Sequence, residues 1–81
     1  MKIQVRIFPI AGLCDKTEEH EIPLEDGSLN GLMARLRELL GADLSGNEKL
    51  MFLHNGYALD IEKTVFRDGD KLWLLPRLSG G

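Results

Sequence analysis

Cysteine occurs once in the 81-residue chain, at Cys14. A single thiol makes neither an internal disulfide nor a zinc cluster, so nothing in the sequence points to an oxidising compartment. There is no run of lysine and arginine and no interleaving of aromatic with basic residues. The net charge of −3 excludes a sequence-independent grip on nucleic acid phosphates. No apolar stretch approaches the roughly 20 residues of a membrane span. A secretory signal needs a basic start and an apolar run, whereas MKIQVRIF alternates polar and apolar residues. The expected setting is therefore the cytoplasm, with neither a membrane nor nucleic acid as partner. His20 and His54 have no neighbours at metal-ligand spacing, and no metal site is expected. No nucleophile, base and orienting group recur together as a triad requires, so no catalysis by this chain alone is expected.

What remains is enough for one small domain. Hydrophobic residues make up 43% of the chain, which supplies a single modest core. KIQVRIF has period two, with Ile3, Val5 and Ile7 on one face and Lys2, Gln4 and Arg6 on the other, the pattern of a strand with one buried face. Phe8 falls on the polar side. Glu18 to Leu24 reads as a short acidic strand, and Pro23 places it at an edge. Glu18, Glu19, Glu21, Glu25 and Asp26 read as a solvated acidic edge, able to help steer a basic partner.

In EDGSLNGLMARLRELLG, residues Leu29, Leu32, Met33, Leu36, Leu39 and Leu40 form one apolar stripe on a helix. Ser28 is the expected N-cap and Gly41 the left-handed stop. GADLSGNE reads as a loop. Asn55-Gly56 between apolar runs is a hairpin signal, because both central residues need positive φ. A turn at Asp68-Gly69 leads into KLWLL, the last strand, which Pro76 is expected to end. The order is strand, strand, helix, strand, short strand, strand. Two early strands form a hairpin, the helix crosses one face, and the last strand lies parallel to the first in the middle of the sheet.

This order, with LHNGYALD, TVFRDGDKLWLLP and SGG, resembles the ubiquitin-like β-grasp sulfur carriers: the small subunit of molybdopterin synthase and the thiamin-pathway carrier. The resemblance implies an α+β fold with a mixed sheet of four to five strands and one main helix on one face. It implies a domain over residues 1–75 and a flexible tail over residues 76–81. Arg77 stands where the molybdopterin synthase subunit usually has a second proline, and the loop from Pro9 to Lys16 lacks that subunit's arginines. Molybdopterin synthesis is thus the first pathway expected and the thiamin thiazole the second, with tRNA thiolation and cysteine synthesis open.

The resemblance also implies the chemistry. An adenylating enzyme of the ubiquitin-activating type uses ATP to activate the Gly81 carboxylate. A sulfur donor then displaces AMP and leaves a thiocarboxylate. The acceptor is a synthase large subunit or a thiazole synthase. The chain itself binds no cofactor; the ATP belongs to the activating enzyme. Gly81 is the reactive residue. Gly80, lacking Cβ, allows passage through a narrow channel. Leu78 and Ser79 set extension and register, and Arg77 pairs with an acidic partner groove. Phe8, Trp73, Leu75 and Phe52 are the expected partner-binding residues, with His54 nearby, on the sheet face away from the helix. Cys14 reads as incidental to this chemistry. Two other classes share the same pattern: a ubiquitin-like modifier joined to proteins through Gly81, and a β-grasp interaction module whose tail has no role.

Overall fold

The computed structural model describes residues 1–41, 44, 49–60 and 62–77. The alternating segment forms β1 (Lys2–Ile7) and the acidic one β2 (Glu18–Pro23). The leucine-rich stretch is α1 (Leu29–Leu40), followed by β3 (Leu50–His54), β4 (Tyr57–Ala58) and β5 (Lys71–Pro76). The sheet order is β2-β1-β5-β3-β4. β5 runs parallel to β1 and antiparallel to β3, and the other neighbours are antiparallel. This is the mixed, five-stranded β-grasp arrangement, with the last strand central.

Hydrophobic burial dictates the layering. Ile3, Val5 and Ile7 of β1 and Leu72 and Leu74 of β5 face the same side and are buried. Leu32 and Leu36 of α1 close over them and are fully buried, each worth about 2 kcal/mol relative to exposure. Ile10, Ile22, Leu24, Leu44, Leu50 and Phe66 complete the core. Leu39, expected in the stripe, is 44% exposed, because it falls at the stripe's margin beside Arg35 and Glu38, where α1 overhangs β2.

The helix ends as its sequence dictates. Ser28 Oγ accepts the Gly31 N–H at 3.1 Å, and Asp26 Oδ1 accepts the Ser28 N–H at 3.0 Å. Gly41 is left-handed at φ 68, and its N–H donates to the Arg37 carbonyl. Pro23 is tolerated because of its register. Met1 and Leu24 exchange both backbone bonds, so by antiparallel alternation the Lys2–Pro23 pair is a non-bonded one. The proline nitrogen, with no hydrogen to donate, therefore points to the open edge of β2. Asn55 at φ 51 and Gly56 at φ 88 make the β3–β4 turn with both central residues at positive φ, as the hairpin signal requires.

One boundary differs from its expectation. β5 does not stop at Leu75: Pro76 pairs with Leu50, and the Arg77 N–H donates to the Lys49 carbonyl at 2.7 Å. Pro76 fits there because Arg77, not Pro76, supplies the next donor.

Candidate functional site

Strand direction gives the sheet two distinct ends. At one end lie the start of β1, the start of β5 and the β3–β4 turn. At the other, β5 leaves the sheet between Phe8 and Lys49: the Phe8 N–H donates to the Leu74 carbonyl at 2.9 Å, and Arg77 bonds to Lys49. Leu78, Ser79, Gly80 and Gly81 lie outside the described residues. Arg77 is exposed at this exit.

Cross-strand partners share a face, so the register decides which residues meet. Trp73 stands opposite Arg6 of β1 and Leu53 of β3, and Leu75 stands opposite Met51. These residues occupy the face away from α1. Phe8 joins them, its ring 5.4 Å from that of Trp73 in an edge-on arrangement. Trp73 is 37% exposed, although neighbours flank it on both sides. Three of the four residues expected to bind partners, Phe8, Trp73 and Leu75, thus come together near the exit of β5.

Phe52 does not join them. It pairs with Leu74 and packs against the core on the helix side. His54 pairs with Leu72, and its ring lies 4.7 Å from the buried Phe66. Neither lies on the expected face, which Met51 and Leu53 occupy instead. The alternation that would have distinguished them is absent from LMFLH, where four consecutive residues are apolar. Counting back from the Asn55-Gly56 turn against KLWLL was the signal that could have found them.

The remaining motifs build the opposite end. Asn55 and Lys71 exchange bonds: the Asn55 N–H donates to the Lys71 carbonyl, and the Lys71 N–H donates to Asn55 Oδ1, both at 2.8 Å. Asn55 Nδ2 donates to Asp70 Oδ1 at 3.2 Å. His54 Nε2 and the Arg67 N–H reach Asp70 Oδ2 at 2.7 and 2.9 Å. The Lys2 N–H donates to Asp68 Oδ1 at 2.7 Å, and the Gly69 N–H donates to the Lys2 carbonyl at 2.8 Å. Asn-Gly and Asp-Gly-Asp thereby lock β1, β3 and β5 together. Burial opposes ionisation of Asp70, but the bonds from Arg67, His54 and Asn55 outweigh it and hold the carboxyl below its ordinary range.

Among the described residues no hydroxyl or thiol bonds to His54 or His20, whose ring nitrogens meet Asp70 and Glu18. No group of three or more His, Cys, Asp and Glu side chains there is placed to hold a metal ion. Cys14 is half-buried, with Sγ donating to the Phe8 carbonyl at 3.3 Å. No helix of the described residues is long and apolar enough to cross a membrane.

No family model matches the chain, and no curated protein matches it. Solved structures do. SAMP1 from Haloferax volcanii is 22% identical with a TM-score of 0.67, each chain covered over its full length. A chain from the complex of subunits 1 and 2 of the molybdopterin-converting factor of Helicobacter pylori is 25% identical with a TM-score of 0.60, again end to end. The HVO 2177 protein of Haloferax volcanii is 22% identical over all of this chain and 87% of its own, with a TM-score of 0.64. The resemblance read from the sequence holds at the level of the fold, which is that of the ubiquitin-like β-grasp proteins.

Proposed function

We propose that this chain is a ubiquitin-like sulfur carrier whose reactive group is the Gly81 carboxylate. The observation that carries the reading is the placement of Arg77: β5 leaves the sheet there, beside the apolar face of Phe8, Trp73, Leu75, Met51 and Leu53. A partner seated on that face receives the residues that follow Arg77. The two-subunit complex to which one structural neighbour belongs supports a synthase large subunit as the acceptor, and molybdopterin synthesis as the pathway.

Gly81 needs help from outside because a carboxylate has no usable leaving group. In the adenylating partner, a Gly81 oxygen attacks the α-phosphorus of ATP and pyrophosphate leaves. Hydrosulfide then attacks the acyl carbon, AMP departs, and a proton is released, leaving the thiocarboxylate. A persulfide donor requires one further thiol, which ends as a disulfide. The chain contributes a docking face and a glycine terminus able to enter a channel too narrow for a Cβ.

Deleting Gly80 and Gly81 tests the reading. Sulfur transfer is expected to be lost while the melting temperature stays within experimental error. Transfer undiminished in the truncated chain would overturn it. A ladder of covalent conjugates formed only by the full chain would replace the carrier with a protein modifier.

A further inference from the structure

Beside the apolar face lies a feature that face does not explain. A shallow concavity of about 320 Å³ opens between β2, β1 and β5, lined by Gln4, Arg6, Glu19, Lys71 and Trp73. Arg6 Nε donates to Glu19 Oε1 at 2.9 Å, and Nη2 donates to the same oxygen. One carboxylate oxygen thus occupies one edge of the guanidinium, and no described residue takes the Nη1 donors. The guanidinium carbon stands 5.6 Å from the Trp73 ring centre, which holds the fork over the indole. Lys71 lies on the same face, two residues before Trp73, and no described carboxylate forms an ion pair with it. The other carboxylate of this flank, Glu21, is taken by Lys2 at 3.3 Å and by Gln4 Nε2 at 3.1 Å.

Two cations therefore face one carboxylate here, in a chain whose net charge is −3. The local excess is opposite in sign to the whole molecule. It also borders an apolar patch, where a bound group loses water and a charge–charge contact gains strength.

The geometry points to a recognition pocket for an acidic side chain of the adenylating partner, an aspartate or glutamate that bridges Lys71 and the open edge of Arg6 while its apolar neighbours cover Trp73. The inference rests on the carrier reading for the identity of the partner. Glu19 is the internal placeholder in this arrangement: it orients Arg6 and lowers the pocket's net charge. Arg6, Lys71 and Glu19 are positioning residues for docking and take no part in the transfer of sulfur.

The probe is the adenylating enzyme from the same cells, isolated by pyrophosphate–ATP exchange that depends on this chain. Lys71→Glu is expected to raise the KM for the chain about tenfold at low salt and less than about threefold at 0.5 M salt, where exposed charges are screened. Glu19→Gln, which removes a negative charge, is expected to lower the KM. A merely structural role for Glu19 gives no such gain. Thermal melts of both variants separate docking from folding. Unchanged KM values in folded variants, or effects indifferent to salt, would overturn the pocket. Inhibition of exchange by inorganic phosphate at matched ionic strength, lost in Lys71→Glu, would assign the pocket to a free anion and overturn it too.

The mass of Gly81 after reaction with hydrosulfide is read in parallel. Thiocarboxylate with salt-indifferent variants sinks the pocket alone. Salt-sensitive docking without thiocarboxylate sinks the carrier reading alone. Absence of any exchange with the wild-type chain overturns both.

Discussion

Asp70 Oδ2 lies 2.7 Å from His54 Nε2, and through that contact the turn before β5 is tied to the end of β3. The carboxylate also takes the Arg67 N–H and the Asn55 side chain, so a single residue gathers donors from both connections. The Asp-Gly-Asp turn is in this sense a clasp, set at the end of the sheet opposite the exit of β5.

The clasp makes stability sensitive to acid. The folded Asp70 carboxyl titrates below its ordinary value of 3.8. Its contribution is full above that value and is lost as pH falls through the lower, folded value. Asp70→Asn is expected to cost about 1–3 kcal/mol at pH 7 and to flatten the acid limb of the stability curve. Urea unfolding between pH 2 and pH 7 reads both effects. A variant curve parallel to that of the wild type throughout would remove Asp70 from the account.

Gly27 is fixed by a close approach. A Cβ there would stand 2.2 Å from the Phe66 carbonyl oxygen, and the Phe66 N–H donates to the Gly27 carbonyl at 2.9 Å. Backbone meets backbone, so neither side can yield without breaking the contact that seats Phe66 in the core. Gly27→Ala is expected to destabilise by about 1–3 kcal/mol, as overpacking does. A melting temperature equal to that of the wild type would show that the loop shifts freely.

The Trp73 ring makes one edge-on aromatic contact with Phe8 and one cation contact with Arg6, both on an open face. Trp73→Ala is expected to lose only about 0.5–1.5 kcal/mol of stability while weakening partner binding much more. Loss of the cooperative thermal transition would make Trp73 a core residue and contradict its assignment to docking.

Much of this architecture is legible in the residues themselves. Ile3, Val5 and Ile7 alternate strictly, and their face follows. Ser28 and Gly41 bracket the helix with side-chain and backbone chemistry that needs no tertiary context. Phe52 is different: within LMFL every position suits a buried face, so only the register against β5 separates Phe52 from Met51 and Leu53. Leu39 shows the same limit, because helical period fixes a stripe but not how far the sheet extends beneath it. The Arg6–Glu19 pair and the His54–Asp70 contact join residues 13 and 16 positions apart. Neither spacing carries a local signal, and each exists only because the strands pair as they do.

The central claim is that Gly81 carries sulfur. Its most direct test is the intact mass of the chain after incubation with ATP, hydrosulfide and the adenylating enzyme, beside a chain lacking Gly81. The account predicts the replacement of one oxygen by one sulfur in the full chain alone. An unmodified mass would contradict it. So would an added sulfur that survives the loss of Gly81 and vanishes in Cys14→Ser.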